Sequence, residues 1–354
     1  MGDKLLVINP GSTSTKIAIF TQEGQLWQEN IDHDSAEIRR YDTIYGQLPM
    51  RLQLVRQVCQ AKGLDFAQLV AVVGRGGTLP YAVSGAYQVN QAILDALEHH
   101  PVDQHASNLG AAIAYHIAQP LGLNAYIYDP VTVDEMIDLT RITGLKEIKR
   151  RGQGHNLNMR AAALRYCREQ AVDYNAVNIV VAHLGGGITL SLHQQGRIID
   201  MVTDFDGPFA PERAGALPTY SLLEIAMDGH HSLTGLKKSL QREGGLVSHL
   251  GTADARQVEK RIAAGDDYAA LVYQAMALSV ARSIASLAVV VCGQVDAIIL
   301  TGGVAYSQMF TEMITDRIKF IAPVTVLAGE NEMKALAEGA WRVINGLEQP
   351  NCYQ

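Results

Sequence analysis

The chain has 354 residues, 48% of them hydrophobic and 18% charged, enough for two filled cores and too few charges for a disordered polyelectrolyte. Lys and Arg total 29 against 36 Asp and Glu, a formal charge of -7 that argues against the basic face of a nucleic-acid binder. Small anionic ligands stay compatible, because a few placed arginines neutralise them locally.

In chain order, alternating and apolar runs predict strands at Lys4–Asn9 and Thr15–Phe20, joined by the Gly/Ser/Thr turn Pro10–Ser14. A further strand follows at Gln25–Asn30, past the turn Glu23–Gly24. A helix is predicted over Pro49–Lys62, with Leu52, Val55, Val58 and Cys59 at helical spacing. Next come a strand at Leu69–Gly74, helices at Val89–His99 and Ala106–Gln119, and a strand at Ala125–Asp129. A linking helix is predicted near Leu145–Arg151. The pattern then starts again: strand Asn178–Leu184, glycine turn Gly185–Gly187, strand Ile188–His193, turn Gln195–Gly196, strand Arg197–Val202. A long helix over Asp267–Val291, a strand at Asp296–Thr301 and a Gly302–Gly303 turn follow. A helix near Tyr306–Phe320, a strand at Val324–Leu327 and a helix at Glu332–Asn345 close the chain.

Each half therefore opens strand, tight loop, strand, turn, strand. Asn9-Pro10-Gly11 corresponds to His183-Leu184-Gly185, and Gly24 to Gly196, so the chain reads as an internal duplication. Two similar α/β domains across a cleft is the simplest architecture. The most membrane-like stretch, Ala275–Val295, contains Arg282, a costly charge in lipid, and is read as a core helix with no membrane partner. Cys59, Cys167, Cys292 and Cys352 form no CxxC pair, and the first residues lack the pattern of a signal peptide, so a cytoplasmic location is expected.

The loops carry the chemistry. Asn9-Pro-Gly-Ser-Thr-Ser-Thr-Lys16 joins two strands, so it is not a Walker A loop, which runs into a helix. Its amides and hydroxyls nonetheless suit an anion, although a solvated hairpin has the same composition. Three glycines in His183-Leu-Gly-Gly-Gly-Ile let backbone approach a phosphate closely. Thr301-Gly-Gly-Val-Ala305 leads from a strand into a helix, a place for a nucleotide. Arg75 in Gly74-Arg-Gly-Gly77 and Arg213 in Pro211-Glu-Arg-Ala-Gly215 occupy equivalent-looking strand-end loops. Asp129 ends a strand, as a phosphate- or metal-site carboxylate would, or as a capping Asp before Pro130 would. His99-His100 and His230-His231 are assigned to solvated surface, whereas His105, His155 and His183 lie in polar or glycine-rich loops.

Leu6-Val-Ile-Asn-Pro-Gly-Ser-Thr-Ser-Thr-Lys16 resembles the opening of the acetate and butyrate kinases, within the sugar kinase, heat-shock-protein-70 and actin superfamily. The similarity continues in order through Val73-Gly-Arg-Gly-Gly77, His105-Ala-Ser-Asn108, Tyr128-Asp-Pro130 and Gly152-Gln-Gly-His155. It extends through His183-Leu-Gly-Gly-Gly187, Pro211-Glu-Arg-Ala-Gly215 and Thr301-Gly-Gly303. The Asn-Pro-Gly, Gly-Arg-Gly-Gly and His-Ala-Ser-Asn forms look like the butyrate kinase branch. The resemblance implies duplicated RNase-H-like (actin-like ATPase) α/β domains with mixed sheets facing a central cleft. It divides the chain into 1–150 plus about 333–354, the acid side, and 151–332, the nucleotide side.

The resemblance also implies roles. Asn9, Ser12, Ser14 and Lys16 match the phosphate-side loop; Arg75 and Arg213 match two essential arginines; Asp129 and His155 match a catalytic acidic residue and the active-site histidine. His183, Gly185, Gly186, Gly187, Gly302 and Gly303 match ATP-binding segments, and Asp129 with Glu332, or Glu330 in its place, matches the magnesium site. Gly76, Gly77 and Gly154 stand where acetate kinases carry bulkier residues, implying room for a longer acyl chain. The implied activity is reversible phosphoryl transfer between ATP and butyrate, with Mg2+, in a homodimer or higher homo-oligomer. A kinase preferring isobutyrate, propionate or acetate is the nearest alternative, and an ATP-dependent switch without acyl transfer the more distant one.

Overall fold

Lys4–Pro10 (β1), Ser14–Phe20 (β2) and Gln25–Asp32 (β3) form an antiparallel meander, to which Leu69–Arg75 (β4) adds parallel to β1. Ala86–Gln88 (β5) and Asn124–Tyr128 (β6) complete a sheet of order β3-β2-β1-β4-β6-β5. Further along, Asn178–Leu184 (β7), Ile188–Gln194 (β8) and Arg197–Val202 (β9) repeat the meander. Ala297–Gly302 (β10) and Val324–Ala328 (β11) add in parallel, giving β11-β10-β7-β8-β9. Three antiparallel and two parallel strands in the same order make the duplication explicit. Only β5, three residues long, has no counterpart and no readable sequence signal.

The computed structural model describes residues 2–354, which fall into two units: residues 2–134 with Asn331–Gln354, and Glu135–Glu330. Residues just past Asp134 are tied to the second unit: Glu135 Oε2 accepts from Ile198 N at 3.0 Å and Ile137 N donates to Ile199 O at 3.0 Å. No helix forms near Leu145–Arg151. Thr143 Oγ1 takes the Leu145 amide and donates to Ile148 O at 2.6 Å, which diverts the backbone into an Ile142–Lys149 bridge.

Central strands are buried on both faces, as parallel sheets covered by helices require. In β7, Val180, Ala182 and Leu184 pack with the helices Asp267–Ala288 and Gln308–Ile318, while Ile179 and Val181 pack with Met159, Ala163 and Cys167 of the helix Asn156–Gln170. The long apolar helix is thus one-sided: Met276, Val280 and Ile284 enter the core and Arg282 stays exposed. In the first unit, Leu6 and Ile8 share a core with Ile113 and Ile117 of the helix Leu109–Ala118. The final helix, Glu332–Ile344, packs against β1, β4 and β6.

Four helices of nine residues or more have no sequence-level prediction: Asn156–Gln170, Thr219–Met227, Leu233–Arg242 and Ala255–Ala263. The first buries Asn156 and Asn158 among its apolar residues, which blurs the stripe. The second and third bury nothing, so they have no core face to read.

Two buried histidines make folding pH-dependent. Burial, with Arg160 adding to it, pushes His193 down to about 3; its ring is held between Tyr174 Oη and Ser191 Oγ, each at 2.7 Å. Burial and then Arg51 push His33 down to about 4. Both are neutral when folded and take a proton near pH 6.5 when unfolded, so their stabilisation holds above that pH and is lost as pH falls toward 3 to 4. We expect the denaturant-measured stability of His193→Gln to fall less steeply between pH 6.5 and 4, by up to about 1.4 kcal/mol per pH unit. Equal slopes for variant and wild type would contradict a neutral buried His193.

Candidate functional site

Two clusters of predicted residues emerge, one in each unit. In the first, β1 and β2 end together, placing Asn9 opposite Lys16 in the register. Asn9, Pro10, Gly11, Ser14 and Lys16 line a pocket of about 220 Å³ with Arg75, His105, Ser107, Val131 and Glu332. Arg75 reaches it from the end of β4, where the backbone is crowded by the helix Leu109–Ala118. A Cβ on Gly74 would lie 2.1 Å from Gly110 O, so glycine at both positions lets helix and strand backbones touch.

Arg75 is 7% exposed, and its guanidinium needs an anion. Glu332, the first residue of the last helix, supplies it: Oε1 accepts from Arg75 at 2.8 Å and Oε2 from Asn9 at 2.6 Å. His105 Nδ1 accepts the Ser107 amide at 3.2 Å, which leaves the ring proton on Nε2. Burial first and Arg75 second hold His105 below the usual histidine range, so it is a neutral donor in the pocket. Ser12 lies at the exposed hairpin tip, outside the lining.

Asp129 is 1% exposed at the end of β6 and adopts φ +40°, a conformation costing a non-glycine residue roughly 1 kcal/mol or more. Its Oδ1 accepts the Gly85 amide at 2.7 Å and its own amide donates back to Gly85 O. Two residues on, Val131 lines the pocket. No group of three or more metal-ligating side chains occurs among the described residues.

In the second unit, β7 and β8 meet at the hairpin Gly185–Gly187, and His183 pairs with Thr189 where Asn9 pairs with Lys16. His155 stacks on His183 with ring centroids 4.1 Å apart, and its Nδ1 lies 3.0 Å from Thr189 Oγ1. Glu330 Oε1 is 3.1 Å from His183 Nε2, so Glu330 and Glu332 belong to different clusters. The Glu212 amide donates to Gly186 O, and Gly187 has Asp204 and Arg213 against it. Arg213 Nε donates to Asp204 Oδ2 at 3.1 Å, and its Nη1 donates to Gln241 O. Gly302, at φ +92°, lies against Leu184 O; Gly303 opens a turn lining a second pocket of about 560 Å³. That pocket also takes in Asp254, Arg256, Glu259, Tyr306 and Ser307.

Residues 155–340 match the model of the acetokinase family. A probable butyrate kinase 2 of Caldanaerobacter subterraneus subsp. tengcongensis is 44% identical over 351 residues, 99% of each chain. Butyrate kinase 2 of Clostridium acetobutylicum is also 44% identical, over 353 residues and 99% of each chain. The chain belongs to the acetokinase family. Its fold is that of Porphyromonas gingivalis acetate kinase, with a TM-score of 0.82 at 17% identity over 97% of this chain and 100% of that one. The duplicated actin-like α/β fold read from the sequence is therefore the fold of an acetokinase.

One expectation needs correction. The room predicted over Gly76 and Gly77 is filled by the chain itself. A Cβ on Gly76 would lie 2.8 Å from Pro130, and one on Gly77 would lie 2.7 Å from Asn108 Oδ1 and 2.9 Å from its Cα. A Cβ on Gly154 would likewise lie 2.9 Å from Met201 and 3.2 Å from Thr189, both in the second unit. These glycines permit close packing of backbone, and neither Gly76 nor Gly77 lines the 220 Å³ pocket. Arg51, by contrast, gave no functional signal. It sits on the buried stripe of the helix Leu48–Ala61 with Val55 and Cys59, four and eight residues on, and a charge at such a position is the cue.

Gly77 adopts φ +64°, so Gly77→Val combines backbone strain with overlap on Asn108. We expect it to lose about 2 kcal/mol or more in chemical denaturation. A Gly77→Val chain as stable as wild type, preferring shorter acids, would return the position to acyl selection.

Proposed function

We propose that this acetokinase transfers the γ-phosphoryl group reversibly between ATP and butyrate, giving butyryl phosphate and ADP by direct in-line attack. The observation that carries the reading is the first-unit pocket, where Asn9, Ser14, Lys16, Arg75 and His105 converge as donors to an anion. A carboxylic acid with a pKa of about 4 is ionised at neutral pH and needs no general base. What it needs is relief from repulsion, because an anion attacks an anionic phosphoryl group.

A carboxylate oxygen forms the new bond to phosphorus while the bond to the β–γ bridging oxygen breaks and ADP leaves with that electron pair. In this reading Arg75 orients the carboxylate, and Arg213 stabilises charge on the phosphoryl group. His155 hydrogen-bonds its oxygens, with Asn9, Ser12, Ser14 and Lys16 on the acid side. The acyl chain lies against Pro10 and Val131, the apolar members of the pocket. Each methylene buried there is worth about 0.8 kcal/mol, which makes chain-length preference graded.

The second unit takes the nucleotide: phosphates at His183 and Gly185–Gly187, and the nucleoside in the pocket beside Gly302 and Gly303, whose size suits such a ligand. Asp129 and Glu332 would hold Mg2+ largely through its own water. Both Glu332 oxygens and Asp129 Oδ1 already accept hydrogen bonds, which suits an ion that keeps its hydration shell. Such an ion offsets charge on phosphate oxygens when bound. The reading extends to a cytoplasmic homodimer or higher homo-oligomer; Tyr220, Leu223, Met227 and Leu233 are exposed apolar side chains that such assembly would cover.

Trapping acyl phosphate as hydroxamate across butyrate, isobutyrate, propionate and acetate tests the assignment. We expect butyrate to give the highest kcat/KM. A different best acid would replace butyrate, and absence of acid-dependent ADP release would leave an ATP-dependent switch. In the same assay, Arg75→Ala and Arg213→Ala should each lower kcat by about 10²-fold or more in folded protein. Near-wild-type turnover in either variant removes that arginine from the mechanism.

A further inference from the structure

Beneath the β1–β2 hairpin lies a buried cation with no counter-ion among the described residues. Arg51 is fully buried, and among the described residues no carboxylate comes within ion-pair distance of it. Its guanidinium is satisfied by neutral oxygens alone. Nη1 donates to Gly11 O at 2.9 Å, Ser14 O at 3.1 Å and Thr15 Oγ1 at 3.0 Å. Nη2 donates to Ser12 O at 3.2 Å, and Nη2 and Nε both donate to Gln47 Oε1, at 2.9 and 3.1 Å. The remaining carbonyl of the tip, Thr13 O, accepts from His33 N at 2.9 Å. His33 closes the cluster through Nε2, 2.8 Å from Thr15 Oγ1.

Four consecutive carbonyls, those of residues 11 to 14, are thus held from within the protein. A trans peptide is planar, so its C=O and N–H point in opposite directions. Gripping Gly11 O and Ser12 O turns the amides of Ser12 and Thr13 away from Arg51, and neither amide donates to any acceptor in the described residues. Successive outward amides form an anion cradle, here beside Ser14 and Lys16 of the pocket.

We infer that Arg51 is a positioning residue for the reaction: it holds the hairpin amides aimed at a phosphoryl oxygen, and its buried charge is answered only when an anion binds there. Burial lowers its pKa to about 10, so the group is charged at neutral pH. His33, pushed down to about 4, adds no second charge. The inference rests on the carboxylate-kinase reading of this pocket. It assigns that reading a residue that touches neither acid nor nucleotide.

The test is steady-state kinetics of the full chain with butyrate and ATP, comparing Arg51→Met, Arg51→Lys and Gln47→Met. Arg51→Met keeps the apolar stem and removes every donor. It should lower kcat by about tenfold or more while the KM for ATP, bound by the other unit, stays within about twofold. Arg51→Lys keeps a charge but has no planar fork to span three carbonyls, so its kcat should fall between Met and wild type. Gln47→Met, which loosens the guanidinium but leaves its charge, should lower kcat in the same direction by less, and it decides the matter if Arg51→Met does not fold. Folded variants whose kcat matches wild type, or whose loss lies wholly in the KM for ATP, would overturn the role. Wild-type protein without acid-dependent turnover would instead overturn the function on which it rests.

Discussion

A guanidinium taken out of water must be answered, and the way Arg75 is answered organises the first unit. Its partner, Glu332, comes from a helix that starts 257 residues later, and the same carboxylate reaches Asn9 on the neighbouring strand. Removing Glu332 leaves the buried Arg75 with an uncompensated charge, which destabilises the fold around it. The last helix is therefore bound to the first sheet by apolar packing and also by an ion pair at the pocket itself. This explains why a chain duplicated around residue 178 returns at its end to the unit in which it began.

The two units use one topology for different chemistry. At the end of the first strand of each meander, the hairpin position is Asn9 with Lys16 in one and His183 with Thr189 in the other. The first hairpin carries hydroxyls and is backed by Arg51; the second carries three glycines and is backed by Glu212 through Gly186 O. One is a polar donor set on a fixed frame, the other bare backbone, which under the proposed function take the acid side and the nucleotide phosphates respectively. Duplication supplied the scaffold, and the residues at two turns divide the labour.

Sequence patterns carried most of this fold because its strands are short, apolar and punctuated by glycine. The strands Asn178–Leu184 and Arg197–Val202 are legible to the residue. Helices without a buried face, such as Thr219–Met227, are not legible, since periodicity reports a core and these have none. The loops that bring Asn9, Lys16 and Arg75 together were visible as motifs, because turn residues and charges are rare together inside strands. The glycines at 76 and 77 show the limit of that reasoning. Absence of a side chain looks the same in a sequence whether it makes room for a ligand or for Pro130 and Asn108, and only packing distinguishes the two.

The net charge of -7 describes a surface, and the pocket departs from it by design of placement. Lys16 and Arg75 line it against the one carboxylate of Glu332, with Arg51 buried behind. Each cation is held differently: Lys16 is exposed to solvent, Arg75 is held by a carboxylate and Arg51 by neutral backbone and side-chain oxygens. A solvated lysine attracts an anion but orients nothing, whereas a guanidinium locked by neutral dipoles keeps its field and fixes the amides around it. Under the proposed function those dipoles are in place before ligand arrives, so little reorganisation would remain for the moment of transfer, which is where fixed electrostatics contributes most to rate.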